Sequence, residues 1–250
     1  MQIIQSNILK IFTNLTHAFT TKDGGISKPP YSSLNLAFHV GDDRESVIKN
    51  HNTLAKNLAY DRKKLIHMKQ VHSNLVIKID NSYNFDNPPQ CDALITNRVN
   101  TPLIVMVADC APILFYDDVK KVIAAAHAGR QGTFLNIIQN IVNSFKNEFN
   151  SNTSDIIVSI GASIGSCCYE VGDEISDEAK KLDFEYAMTK RKNSFYLNIS
   201  KILKTQLRDA GIKEENIEIS SECTCCKNNK YFSYRADGVT GRFCGVIELR

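Results

Sequence analysis

The sequence has no strong charge of either sign, no long apolar run, no internal repeat and no Pro/Gly/Ser-rich linker. Thirty basic residues stand against 27 acidic ones, a formal charge of +3. That bias is too small for a nucleic-acid module or an anionic-membrane binder. The longest apolar runs, Leu103–Ala108 and Val122–Ala126, fall far short of the ~18 residues that span a bilayer. Residues 1–7 show no basic segment leading into an apolar stretch, so no secretory signal is expected and the chain reads as cytoplasmic. Composition is ordinary, 43% hydrophobic and 23% charged, which excludes a disordered chain. A chain of this length buries roughly three quarters of its unfolded surface and needs no disulfide staples. Its 250 residues lie between one domain and two by length alone.

What stands out is eight cysteines: Cys91, Cys110, Cys167, Cys168, Cys223, Cys225, Cys226 and Cys244, with six histidines beside them. In a reducing compartment each is a buried small hydrophobe, a metal ligand or a nucleophile.

Three helices are expected. One follows Asp42-Asp43-Arg44-Glu45 with the stripe Val47, Leu54, Leu58. A second runs from about Gly132 to Phe149, where Phe134, Ile137, Ile138, Ile141, Val142 and Phe145 share one face. A third opens near Asn198, carries Ile199, Ile202, Leu203 and Leu207, and stops at Gly211. Strand signals fall at His17–Thr21, Leu75–Ile79, Ala93–Thr96, Leu103–Val107, Ile113–Tyr116, Val122–Ala126, Ile156–Ile160, Ile217–Ser220 and Phe243–Leu249. Several lack alternation, as strands covered on both faces do. Asn81–Gln90 reads as a surface loop. The strands do not alternate one for one with helices, so the expected class is an α+β layered fold of mixed sheets flanked by helices.

Three polar residues mark the ends of apolar strands or the approach to one. His72 precedes a strand. Cys110 follows an apolar run in Val107-Ala108-Asp109-Cys110-Ala111-Pro112, and Pro112 is expected to bar a paired central strand there. His127 ends Val122–Ala126 and is followed by Ala128-Gly129. Singly, each is as well read as a satisfied structural residue or buried thiol. Together, strands joined by the Asp117-Asp118 turn bring Cys110 toward His127, and imidazole plus thiolate suits zinc or copper. Spacings of 38 and 17 residues form no short finger motif, so they add little. Cys223-Thr224-Cys225-Cys226 resembles a metal knuckle but has no second pair nearby in sequence. Cys167-Cys168, if extended, point to opposite sides and do not readily share a site. The Gly161–Gly165 turn lacks a P-loop lysine. Arg235 and Arg242 bracket a polar turn that is either solvated or anion-binding.

Several stretches, taken in order, resemble one family. They are Ser33-Leu34-Asn35-Leu36 with His39-Val40-Gly41-Asp42-Asp43, Gln70-Val71-His72, Asp92–Thr96, Ala108–Pro112 and Ala126–Gly129. Ile164-Gly165 through Tyr169-Glu170-Val171 and Phe232–Arg242 complete the set. It is similar to the laccase-domain, multicopper polyphenol oxidase-like family, also described as broad-specificity purine nucleoside phosphorylases. The likeness covers nearly the whole chain, so residues 1–250 are expected to form one domain.

The resemblance implies a zinc held by His72, Cys110 and His127, with purine nucleosides and phosphate as partners. It implies phosphorolysis of adenosine, inosine, guanosine and S-methyl-5′-thioadenosine, and deamination of adenosine. Cys110 and His127 are then the expected catalytic pair, with Asp109 shuttling protons and Glu170 or Asp173 as alternatives. Asn35, His39, Arg130, Arg235 and Arg242 are the expected substrate-binding residues. Two departures stand out. The family's Ala-His-Ala-Gly-Trp-Arg-Gly is Ala126-His127-Ala128-Gly129-Arg130-Gln131-Gly132 here, and its Asn-Arg is Asn50-His51. With no guanidinium at 51, Arg130, Arg235 and Arg242 are the alternatives for phosphate. The competing readings are a copper-dependent phenol oxidase, a metal-free cysteine hydrolase using Cys110 and His127, and a binding protein whose zinc only supports folding.

Overall fold

The computed structural model describes residues 1–250. In chain order the elements are β1 (Ile3–Ile4), β2 (Leu15–Thr20), α1 (Arg44–Leu58), β3 (Val76–Lys78), β4 (Ala93–Thr96), β5 (Leu103–Val107), β6 (Ala111–Asp117) and β7 (Val122–Ala128). There follow α2 (Arg130–Phe134), α3 (Ile137–Phe149), β8 (Ile156–Ile160), β9 (Glu170–Val171), α4 (Asp173–Lys181), β10 (Met188–Arg191) and β11 (Ser194–Leu197). The chain closes with α5 (Ile199–Asp209), β12 (Ile217–Ile219), α6 (Tyr234–Asp237) and β13 (Phe243–Leu249).

The fold is α+β and layered. A four-stranded sheet, order β1-β2-β13-β5, lies against a six-stranded mixed sheet, order β12-β8-β6-β7-β4-β3. Every residue of β5, β6 and β7 is buried, because each of these strands is covered on both faces. Phe19, Leu94, Val105, Leu114 and Ile247 pack between the sheets. The outer face of the six-stranded sheet is covered by α3 and α5 through Ile137, Ile141, Phe145, Ile202 and Leu203. The outer face of the other sheet is covered by α1 through Leu54 and Leu58. Each such fully buried side chain contributes roughly 1.5–3 kcal/mol. A small sheet, β10-β11-β9, is hydrogen-bonded to neither larger sheet and packs on the α3–α5 side through Val171 and Leu197.

Asp43 caps α1, accepting from the Ser46 amide at 2.8 Å. The helix expected over 132–149 is two helices. Asn136 adopts a left-handed φ of 54° and caps α3 by accepting from the Gln139 amide, so the apolar stripe continues while the backbone breaks. Pro112 does not bar a strand. It pairs with His127 inside β6, and its carbonyl accepts from the Gly161 amide at 2.9 Å, a role that needs no N–H. β6 therefore begins directly after Cys110, and the sulfur sits in the short link between β5 and β6. The short or half-exposed strands β1, β9, β10 and β11, and the polar helices α4 and α6, bury few apolar residues. No helix is long and apolar enough to cross a membrane.

Candidate metal centre and active site

The β6–β7 hairpin places Ala111 opposite Ala128, so Cys110 and His127 emerge at the same end of the six-stranded sheet. His72 joins them from the loop before β3. Gln70 tethers that loop by acting as a strand partner: its side chain donates to the Met106 carbonyl at 2.9 Å and accepts from the Met106 amide at 3.1 Å. The donor atoms of His72, Cys110 and His127 all lie within 4.8 Å of one another. The two imidazole rings meet edge to face, centroids 4.8 Å apart.

Asp92 organises both histidines. Fully buried at the start of β4, it accepts Nδ1–H of His127 at 2.8 Å, which leaves Nε2 of His127 for a metal. The same carboxylate accepts the amides of Val71, His72 and Ser73 and the Ser73 hydroxyl. His72 adopts a left-handed φ of 60°, which lets these successive amides converge on one anion. Burial alone would raise the Asp92 carboxyl, but His127 and Ser73 outweigh it and hold it at about 2.

Burial also opposes ionisation of Cys110, yet the His127 and His72 rings overcome it and lower the thiol below its ordinary value. Burial lowers His127 in the same way, and Cys110 with Asp92 raises it above the usual imidazole range. The two shifts are mutual, each group favouring the charged form of the other. The donor set fits a borderline-soft cation: one thiolate, one oriented imidazole and a second imidazole with open space before it. Gly129 makes this approach possible, since a Cβ there would stand 3.0 Å from Cys110 Sγ and 3.2 Å from His72 Cδ2.

These three residues form the floor of a cavity of about 380 Å³. His39, Asp109, Arg130, Arg235 and Arg242 line its walls, with Ile164, Tyr169, Ile199 and Tyr234. Burial, then Arg242, holds the His39 ring below its ordinary value. Arg130 is paired with Glu178 at 2.7 Å. Arg235 donates to the carbonyls of Cys168 and Glu170 and lies over the Tyr169 ring. Arg242 spends only Nη1, on the carbonyls of Thr240 and Gly241, and has no carboxylate partner.

Asp109 lines the wall, but its carboxylate accepts the Thr224 hydroxyl at 2.6 Å, the Ser233 hydroxyl at 2.8 Å and the Arg235 amide at 2.7 Å. Asn35 is fully buried and does not line the cavity. It sits behind the wall, accepting from the Arg242 amide at 2.9 Å and donating to Asp42. Glu170 and Asp173 lie outside the lining. His51, where the resemblance carries arginine, is a core residue stacked on Phe38 and bonded to the Leu36 carbonyl at 2.8 Å. The site residues without an assigned role in the sequence reading are Asp92, Gln70, Tyr169 and Tyr234. All four fall inside the matching stretches, which was the available signal.

The cysteine pairs also differ from the sequence expectation. Cys167-Cys168 lie in a turn, not an extended strand, so alternation does not separate them. Both stand beside Cys223 and Cys226, the second pair that the local sequence does not reveal.

A family model described as multi-copper polyphenol oxidoreductase laccase matches residues 16–250. The purine nucleoside phosphorylase YlmD of Geobacillus stearothermophilus is 34% identical over 96% of this chain and 92% of its own. A purine nucleoside phosphorylase of Corynebacterium glutamicum is 37% identical over 92% and 93%. The crystal structure of the Bacillus licheniformis hypothetical protein YfiH superposes with a TM-score of 0.91, at 36% identity, over 94% of this chain and 93% of its own. With this coverage, and with the matching stretches gathered round one cavity, the chain belongs to the laccase-like multi-copper polyphenol oxidoreductase family, whose relatives named above include purine nucleoside phosphorylases.

Proposed function

We propose that the chain is a zinc-dependent purine nucleoside phosphorylase. Its substrates are adenosine, inosine, guanosine and S-methyl-5′-thioadenosine, each cleaved to the base and ribose-1-phosphate or its methylthio counterpart. The observation that carries this reading is the convergence of the His72–Cys110–His127 donor set and a carboxylate-free arginine, Arg242, on one nucleoside-sized cavity. The relatives' names agree with it.

In phosphorolysis a phosphate oxygen forms a bond to C1′ as the C1′–N9 bond breaks, and the base departs with the electron pair. Arg242 fits the phosphate. Its Nη2 and Nε remain unspent, and its half-buried setting strengthens a charge-assisted bond to an anion. His39 lies close enough to feel that charge and adds a donor to the same wall. Tyr169, Ile164 and Ile199 supply apolar surface for the base. Asn35 and Asp109 act behind these groups: Asn35 fixes the Arg242 backbone, and Asp109 ties the Thr224, Ser233 and Arg235 segments together. Zinc held by His72, Cys110 and His127 supplies Lewis acidity at the cavity floor.

Hydrolytic deamination of adenosine is the second activity proposed for the cavity, with Asp109 as the carboxylate on its wall. Its three donors favour a positioning role, so phosphorolysis is the better supported reaction. We place the enzyme in the cytoplasm, where its eight free thiols stay reduced, and read residues 1–250 as one catalytic unit.

The test is incubation of zinc-loaded protein with adenosine, with and without phosphate, beside His72→Ala, Cys110→Ala and His127→Ala. Phosphate-dependent release of adenine and ribose-1-phosphate by wild type alone is expected. No turnover of any purine nucleoside would refute the assignment. Stoichiometric copper without zinc in protein purified without added metal would favour the phenol oxidase instead. A second reading rests on the closeness of the Cys110 and His127 donor atoms, with the thiol lowered by the ring, which also suits a cysteine nucleophile. Activity that survives chelation and is abolished by alkylation of Cys110 would select it.

A further inference from the structure

The second thiol cluster lies beside the cavity rather than in it. Gly165–Cys168 forms a turn after β8, in which the Gly165 carbonyl accepts the amides of Cys168 and Tyr169. Cys223–Lys227 forms another, closed by the Lys227 amide donating to the Cys223 carbonyl at 3.0 Å. A short parallel bridge, Ser163 to Cys223, sets the two turns side by side, and the Thr224 amide donates to the Ser163 carbonyl at 3.1 Å. The sulfurs of Cys167, Cys168, Cys223 and Cys226 then lie within 4.8 Å of one another, though 58 and 59 residues separate Cys226 from Cys168 and Cys167.

We propose that Cys167, Cys168, Cys223 and Cys226 form a tetrathiolate zinc site that clips the 163–169 loop to the 223–226 turn. A tetrahedral zinc with Zn–S bonds of about 2.3 Å holds its sulfurs roughly 3.8 Å apart. Cys226 Sγ lies 3.4 Å from Cys167 Sγ and 3.3 Å from Cys168 Sγ, and the widest separation in the cluster is within 4.8 Å, so small rotations about the side chains reach that geometry. Cys223-x-x-Cys226 is the spacing of a zinc knuckle. The Gly165 amide donates to Cys223 Sγ at 3.2 Å, the kind of backbone donor that supports a ligating thiolate. Gly165 also keeps the space clear: a Cβ there would stand 3.2 Å from Cys167 Sγ and 3.3 Å from Cys223 Cβ. Four thiols from two remote segments packed on one point have no role in the nucleoside cavity and no disulfide among them.

The consequence is for the cavity wall. Both clipped segments end on Asp109: the Ile164 amide donates to its carbonyl at 2.8 Å and the Thr224 hydroxyl to its carboxylate at 2.6 Å. The Cys168 carbonyl receives Arg235. Zinc at the cluster would hold Ile164, Tyr169 and Arg235 in place beside Cys110 without touching substrate.

The test uses the full chain carrying Cys110→Ala, which removes a ligand of the first site and makes the result independent of the proposed catalytic metal. Protein purified under reducing conditions should retain about one zinc per chain by elemental analysis. X-ray absorption should show a first shell of sulfur alone at about 2.3 Å. Adding Cys167→Ser and Cys226→Ser should remove that zinc. On an otherwise wild-type chain the same pair should lower the melting temperature and loosen the 163–169 loop in hydrogen exchange. A Cys110→Ala protein without zinc, a shell containing nitrogen, an iron-thiolate visible spectrum, or four thiols oxidised to disulfides would each overturn the proposal.

Discussion

Asp92 and His127 meet 2.8 Å apart beneath the cavity floor, where neither is exposed by more than a few per cent. One buried carboxylate thereby orients His127 and, through the His72 amide at 3.1 Å, the loop that carries the second imidazole. Exchanging the carboxylate for a carboxamide keeps the shape but removes the charge and one acceptor. Asp92→Asn is expected to weaken zinc retention by about 10–100-fold. Chelator competition followed by elemental analysis measures this directly; an unchanged midpoint would mean that Asp92 serves only the loop.

Gly129 sits against both Cys110 and His72. The added methyl of Gly129→Ala forces both side chains to give by a few tenths of an ångström, at a cost of about 0.5–1.5 kcal/mol. Zinc affinity should fall roughly 2–10-fold with little change in the thermal melt. A variant that binds zinc as wild type does would show that the donors have room to spare.

Arg242 spends only Nη1, on two carbonyls, and faces no carboxylate, whereas Arg130 already faces Glu178. Loss of a charge-assisted bond is worth about 1.5–3 kcal/mol. Arg242→Ala should therefore raise the KM for phosphate by about 10–150-fold, and Arg130→Ala by much less. Steady-state rates at varied phosphate separate the two; the opposite ranking would transfer the anion site to Arg130.

His17 and His51 are buried and uncharged. Burial lowers His17 to about 4 and His51 to about 3, and the Ser6 amide that donates to Nε2 of His17 also requires that nitrogen unprotonated. At pH 7 both rings are neutral folded and unfolded. As pH falls below about 6.5 the unfolded chain takes up protons that the buried rings refuse. Stability is therefore full above pH 6.5 and is lost progressively toward pH 4 and 3, with each ring contributing a slope of up to about 1.4 kcal/mol per pH unit. Ring NMR signals of His17 and His51 should remain those of the neutral form at pH 5.5, and urea midpoints should drop between pH 6.5 and 5. Titration of both rings near 6.5 would contradict this.

Legibility along the chain follows burial. Ala93–Thr96, Leu103–Val107, Ile156–Ile160 and Phe243–Leu249 coincide with their expected bounds because each is a mostly apolar, almost wholly buried run inside the layers. Helix α4 was not legible, since only Ser176 and Ala179 are buried along it. The break at Asn136 was not legible either, because the stripe Phe134, Ile137, Ile138, Ile141 runs straight through it while the backbone does not. His72, Cys110 and His127 were each visible as polar residues next to apolar runs. Their grouping came from the ordered resemblance, and the β6–β7 register supplies its physical basis.

Residue order alone was sufficient for the layered α+β class, because apolar period and burial are local properties that a strand or helix carries wherever it packs. It was insufficient for Asp92 under His127, for Arg242 facing carbonyls and no carboxylate, and for Cys167-Cys168 beside Cys223 and Cys226. Those depend on strand register and loop closure across tens of residues. A shift of one residue in register would turn each side chain to the other face of its sheet, and no local pattern encodes that choice.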